Sequence, residues 1–414
     1  MRSSSSARPS AVAPSVRRLR RSAPLLAVLA LCVALLAPVV GGPASAAPPT
    51  ADGPTAAGYA GRWLAARITP DGFAPDALGD PSPGDTLLTA LALATAGVDQ
   101  ATFDRTVTWL SDNVDAVTGT GAATSPGQIG YLLLVVQAAG GDPTAFGGVD
   151  LVSRLAGTLG DFEPGLYGAG DPTFDGAFRQ GVAILGLVAA GEPVPSEATA
   201  WLTTQQCGTS DPTIRGGWEA YRLVADACTA GSTVTFTGVD TNSTAMAASA
   251  LAAAGVEPTF APLDWFDAVQ NTTGGWGYLQ GLDDDPNSDA LVIQAITALG
   301  ASADAAPFVE EGGDPLTSLL GFQLGCDAAP ADQGSFTFPG SDGAPNVIAT
   351  EQAIWGAVPR TFPLGEVAFG AAPVPCAAPP TTVPTTPTTT GTTGTTTAVA
   401  PSAEPVDATP NVTG

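Results

Sequence analysis

The stretch NSDALVIQAITALG, residues 287–300, decides the fold, because five other segments repeat its layout. They are GDTLLTALALATAG (84–97), GQIGYLLLVVQAAG (127–140), FRQGVAILGLVAAG (178–191), NSTAMAASALAAAG (242–255) and NVIATEQAIWGAVP (346–359). Each is an almost uncharged run rich in small apolar residues, and five of the six close on Gly: Gly97, Gly140, Gly191, Gly255 and Gly300. A fixed unit at loose spacing means one supersecondary element stacked on copies of itself. A helix apolar on every side must be enclosed on every side, and a closing Gly suits the left-handed residue after a helix end.

Working outward, a second helix precedes each of these. Residues 56–68, 101–117, 151–159, 196–206, 263–271 and 315–324 mix polar positions with Trp63, Trp109, Trp201, Trp265 and Phe322 at helical spacing. That is the pattern of an outer helix with one wet face. Twelve helices in six hairpins, alternating outer and enclosed, predict an all-α (α/α)6 toroid. The loops entering most inner helices carry a Gly followed by an aromatic: Gly72-Phe73, Gly165-Leu166-Tyr167, Gly217-Trp218, Gly275-Trp276 and Gly334-Ser335-Phe336. The second unit, around residues 119–121, lacks the aromatic.

With a Gln at the end of the outer helix (Gln205-Gln206, Gln270, Gln323), these loops resemble the repeat of squalene cyclases and protein prenyltransferases. The resemblance covers residues 56–365 and is strongest in units four to six. It implies the terpenoid cyclase-like toroid and leaves function open, since such toroids serve as cyclases, prenyltransferases, thioester domains and cobalamin carriers.

Both ends differ from this body. Residues 1–46 combine Arg17, Arg18, Arg20 and Arg21, an apolar stretch from Ala23 to Val40, and the small-residue site Ala44-Ser45-Ala46. They read as a secretory signal peptide cleaved before Ala47. Residues 376–414 are mostly Thr, Pro, Ala and Val without hydrophobic periodicity. They cannot offset their ordering entropy and read as a disordered stalk suited to O-glycosylation. The toroid therefore spans residues 47–375. The expected location is extracellular, with cell-wall association as an open alternative that no sorting motif supports.

Eight Arg and no Lys remain after the signal, against 39 acidic residues, for a formal charge of −31. Such a surface repels phosphate backbones and anionic lipid, so nucleic acid is excluded as a partner. The even set Cys207, Cys228, Cys326 and Cys376 predicts two disulfides in an exported chain; of the three possible connectivities, proximity in sequence favours 207–228 with 326–376. The chain contains no His, which removes the zinc sets of prenyltransferases and lanthionine cyclases and any Ser-His-Asp triad. Cys207-Gly208-Thr209-Ser210 departs from the C-G-E-Q thioester motif after its second residue. The D-x-D-D acid of class II cyclases has no match, since Asp283-Asp284-Asp285 is followed by Pro286. That triplet reads first as a helix cap, with a calcium site as a lesser reading. No metal and no cofactor are expected.

Asp85, Asp175, Asp240, Asp289 and Glu351 fall at or near inner-helix starts, where they would ring one mouth of the barrel. The candidate ligand site joins the aromatics Trp218, Tyr221, Trp276 and Tyr278 to the polar groups Asp240, Asp289 and Glu351. Repeat packing is the competing reading for both Trp. Replacing Tyr278 and Asp289 by Ala is expected to weaken binding without loss of stability. The functional expectation is a non-catalytic binding or surface-interaction protein holding a small or hydrophobic ligand at the barrel mouth. The alternatives are a secreted enzyme on an isoprenoid or glycan, with two carboxylates as acid and base, and a structural cell-surface protein.

Overall fold

The structure, a computed structural model, describes residues 52–168, 176–221, 226–309 and 313–376. The residues read as a signal peptide (1–46), Asp175 and the tail beyond Cys376 lie outside them. The chain divides at Cys376 into two units, and the helices belong to the first, which ends at Pro375.

Among the described residues, six inner helices form at the repeated segments: α2 (Pro83–Ala96), α5 (Pro126–Ala138), α7 (Ala177–Ala189), α9 (Thr241–Ala253), α11 (Pro286–Ala298) and α13 (Val347–Ala357). The outer elements are α1 (Gly53–Ala65), α3 (Gln100–Asp112) with its short continuation α4 (Val114–Thr118), α6 (Leu151–Ala156), α8 (Ser196–Gln205), α10 (Pro262–Val269) and α12 (Pro315–Gly321). Each inner helix packs on the next in order, and α13 packs back on α2, so the inner ring is closed. The outer helices lie against it, and α1 touches both α12 and α13. The chain is an (α/α)6 toroid. A two-residue ribbon, β1 (Trp218–Glu219) against β2 (Val239–Asp240), pairs antiparallel in the loop before α9.

The local chemistry explains where each inner helix starts and stops. Ser125, Asp240, Asp285 and Asn346 accept backbone N–H groups of their first turns, which satisfies donors that the helix itself cannot pair. At the other end Gly97, Gly140, Gly191, Gly255 and Gly300 all take φ between +65° and +77°, as expected of residues that close a helix in left-handed geometry. Small residues then let the ring close tightly. A Cβ on Gly130 would stand 2.4 Å from the Val182 carbonyl oxygen, and one on Gly356 would stand 2.4 Å from the Ala290 Cα. Runs such as Leu132-Leu133-Leu134-Val135-Val136 are fully buried on every side of α5, each side chain contributing about 1.5–3 kcal/mol.

Cap positions also correct one detail of the sequence alignment. Counting from the caps Asp285 and Asn346, the residue equivalent to Asp289 is Thr350. The sixth segment therefore sits two residues early when it is aligned on its apolar pattern. Nothing in that pattern marks the shift, because α13 ends at Ala357 without the closing Gly.

Cys207 and Cys228 form the expected disulfide, 21 residues apart, and Cys326 and Cys376 are disulfide-bonded too. On the chain-entropy model a loop of this length contributes about 3 kcal/mol. The double variant Cys207→Ser/Cys228→Ser should lower the chemical-denaturation midpoint accordingly. An unchanged midpoint would show that the bridge does not restrain the unfolded chain.

Candidate functional site

The loops that enter the inner helices share one hydrogen-bond scheme, and it fixes what several candidate residues do. In five units the backbone N–H of the loop residue two after a Gly donates to a side chain in the first turns of the inner helix. Ala74 donates to Thr86 Oγ1, Tyr167 to Gln180 Oε1, Trp218 to Thr244 Oγ1 and Phe336 to Thr350 Oγ1, each at 2.9 Å. In the fifth unit Trp276 donates to Asp289 Oδ1 at 2.6 Å. All five acceptors occupy the fourth position after the cap. The Gly residues that begin these loops, Gly72, Gly165, Gly216, Gly274 and Gly334, have φ between +87° and +96°. A Cβ on any of them would stand 2.2–3.0 Å from backbone of the next unit, so the loop rests directly on its neighbour.

Gln206, Gln270 and Gln323 complete the link. Each donates Nε2 both to the Gly carbonyl of its own loop and to a carbonyl of the following unit: Phe260, Phe308 and, closing the ring, Ala56. The second unit has Ile129 at the acceptor position and Gly119-Thr120-Gly121 in place of the aromatic loop. There Arg154 takes over, donating Nη1 to Thr118 Oγ1 at 2.7 Å and pairing with Asp115 at 2.8 Å.

Trp218 and Trp276 belong to this framework. Both are fully buried, and their indoles donate to Leu202 and Phe266 carbonyls at 2.8 and 2.9 Å. Asp289 is fully buried as well, accepting from Trp276 N–H and from Ser318 Oγ at 2.7 Å. These three residues tie loop to helix, so removal of Asp289 is now expected to cost stability. A side chain holding a buried backbone donor cannot be deleted freely. Asp285 is the cap of α11, and Asp284 accepts from Asn271 and Ser318, so the acidic triplet organises its own loop.

The other candidates separate into two places. At the start of α9, Asp240 accepts Ser243 N–H at 2.7 Å through Oδ1, while its buried Oδ2 has no partner among the described residues. Burial pushes this carboxyl up to about 7, held back in part by the Ser243 N–H and assisted by the nearby Glu219 charge. Half-buried Tyr278 is adjacent: its carbonyl accepts from Thr241, and its phenol is raised by burial and by the Asp240 charge. Tyr221 is half-buried beside the apolar core. At the seam where α13 meets α2, fully buried Glu351 accepts Thr89 Oγ1 at 2.7 Å through Oε1. Its Oε2 has no partner among the described residues, and burial raises this group well above the usual carboxylate range, with the Asp85 charge adding to it. In the ring α11 lies between α9 and α13. The two acids share one end of the toroid without forming one cluster.

No metal is implied by the group Cys207, Glu219 and Cys228, because the two sulfurs are bonded to each other. Sequence reasoning misses Gln128, Tyr131, Gln294, Gln352 and Trp355. Inside apolar helices they look like isolated polar or aromatic interruptions, and only a six-helix register places them on one face.

No family model matches the chain, and no curated protein matches it. Among solved structures it is similar to a type II terpene cyclase variant from Scytonema in complex with merosterolic acid A. That pair shares 15% identity over 73% of this chain and 95% of the other, with a TM-score of 0.47. It is also similar to a protein from Actinoplanes, at 16% identity, 74% and 98% coverage and a TM-score of 0.45. A third is an inactive α-1,6-mannanase variant from Salegentibacter in complex with α-1,6-mannotriose, at 11% identity, 73% and 99% coverage and a TM-score of 0.42.

Proposed function

We propose that the protein is an extracellular binding protein that takes a small ligand at the end of the toroid where the inner helices begin. The observation that carries this reading is the pair of buried carboxyl oxygens, Asp240 Oδ2 and Glu351 Oε2, left without a partner among the described residues at that end. A buried polar group without a partner costs about 1–3 kcal/mol, and a native chain keeps such a group where something else satisfies it. Extracellular residence is supported by the disulfides and the signal-like leader; no helix among the described residues is long and apolar enough to cross a membrane.

A second reading, an enzyme using a carboxylic acid, draws support from Asp240. Pushed up to about 7, it would exchange a proton near neutral pH, where a general acid or base is most effective. The two readings differ in what the isosteric variants Asp240→Asn and Glu351→Gln do. For a binding protein, native mass spectrometry of the secreted chain should show a co-purified small molecule whose retention falls at least about tenfold in either variant. Conversion of that molecule by the wild type, absent in the variants, would replace binding by catalysis. Equal retention in all three proteins would remove both acids from the site.

A further inference from the structure

The inner ring carries a polar stripe along its axis, and its geometry can be read from one contact. The Tyr131 and Trp355 rings approach to 5.9 Å between centroids. They belong to α5 and α13, which are not neighbours in the ring, because α2 lies between them. Side chains of non-adjacent inner helices meet across the axis. Tyr131 is the sixth residue after its cap Ser125, and Trp355 the ninth after Asn346. At 3.6 residues per turn the third, sixth and ninth positions fall within an arc of about 120°; the contact turns this arc of α5 and α13 toward the axis, and the shared cap register carries it to the other inner helices.

Four residues on this face bear buried polar atoms with no partner among the described residues: Gln128 Oε1, Gln352 Oε1, Gln294 Nε2 and Trp355 Nε1. They stand at the third, sixth, ninth and ninth positions of α5, α13, α11 and α13 respectively. Gln294 is 1% exposed and Trp355 0%. The same ninth position holds Leu134 in α5 and Leu185 in α7, both fully buried, so an apolar side chain fits there.

We infer that these groups line a ligand seat on the barrel axis, and that its occupant is a neutral, hydroxyl-rich molecule of the carbohydrate class. The argument is one of complementarity. Two orphaned acceptors and two orphaned donors require a ligand that both gives and receives hydrogen bonds, as a hydroxyl does. An isoprenoid would leave all four unpaired. The four groups are neutral, and the charged residues at the same third position, Arg179 of α7 beside Tyr131 and Asp85 of α2, are of opposite sign, so the face carries no net charge to select an ion. The Tyr131–Trp355 pair adds an aromatic wall for the apolar face of a sugar ring. From the third to the ninth position the stripe rises about 9 Å, enough for a small ligand entering end-on. This inference rests on the reading of the toroid as a ligand-binding body and names the chemistry of its ligand.

Saturation-transfer NMR on the purified full chain, with D-glucose, D-mannose, N-acetylglucosamine, maltose and farnesol as probes, tests it. A sugar should bind and farnesol should not. Gln294→Leu and Gln352→Leu should each weaken that sugar at least tenfold while the melting temperature holds or rises, because each removes an orphaned group. Farnesol binding without any sugar would overturn the ligand class while leaving a binding protein. No binding of any probe, with a co-purified molecule still seen by native mass spectrometry, would do the same. Sugar binding untouched by both Leu variants would overturn the axial seat. A marked fall in melting temperature in either variant would assign that amide to the scaffold.

Discussion

Asp289→Ala should lower the stability of the toroid by about 4 kcal/mol, and Asp289→Thr should recover most of it. Asp289 Oδ1 accepts the buried N–H of Trp276, and Oδ2 meets the Ser318 hydroxyl. Truncation leaves the Trp276 N–H unpaired at about 1–3 kcal/mol, strips the Ser318 hydroxyl of an acceptor and opens a void beside a fully buried indole. Breaking a buried hydrogen-bond network is among the few mechanisms that reach this size. Thr occupies the same position as Thr86, Thr244 and Thr350 in three other units, and each holds its loop N–H at 2.9 Å. Thr at 289 should therefore rebuild the link to Trp276 and lose only the contact with Ser318. Chemical denaturation of both variants decides the matter. If Ala and Thr cost the same, the loop N–H is not what Asp289 serves. If Ala costs nothing, the framework reading of this column is wrong.

The sequence reveals the toroid because its evidence is periodic. Apolar runs, closing glycines and Gly-aromatic loops recur, and each recurrence raises the weight of the others. The candidate site is less legible, and the reason is visible in particular residues. Asp289 looks functional as an acid inside an apolar helix, until its column is set in register and shows Thr, Gln, Thr, Asp and Thr. Gln294 and Gln352 look incidental, because their meaning depends on neighbouring helices, α11 and α13, turning them toward a common axis that no linear pattern encodes. Trp218 and Trp276 are ambiguous in the sequence, since a loop aromatic can floor a pocket or lock a repeat, and the choice depends on where the indole N–H goes. Asp240 lies between these cases: its role as a cap is legible, but the unpaired second oxygen is not.

The pH dependence of stability should run opposite to the usual acid sensitivity of proteins, with the melting temperature about 5 °C higher at pH 5 than at pH 8. Burial raises Asp240, Asp285, Asp289 and Glu351 above the ordinary carboxylate range, Asp240 to about 7. A group whose folded value exceeds its unfolded value binds more protons in the folded state between the two. Stability then falls as pH rises through that window. For Asp240 the window extends from about 4, the unfolded value, to about 7, and the loss across it is about 4 kcal/mol. Glu351 and Asp289 act in the same direction. Asp52, Asp142, Asp150 and Asp211 are shifted the other way by hydrogen bonds from Thr55, Thr144, Ser153 and Thr213. They are exposed, so water screens their contribution, and it would be felt only in more acid solution. Protonation also relieves the self-repulsion of a chain this acidic. At about 1.5 °C per kcal/mol for a unit of more than 300 residues, the roughly 2.7 kcal/mol that Asp240 loses between pH 5 and 7 gives about 4 °C, and the other acids add to it. Calorimetry from pH 4 to 8 measures it directly. Asp240→Asn preserves a cap oxygen for the Ser243 N–H and removes the titration, so it should flatten the curve between pH 4 and 7. A wild-type melting temperature that climbs from pH 5 to 8 would show that these carboxyls are ionised in the fold.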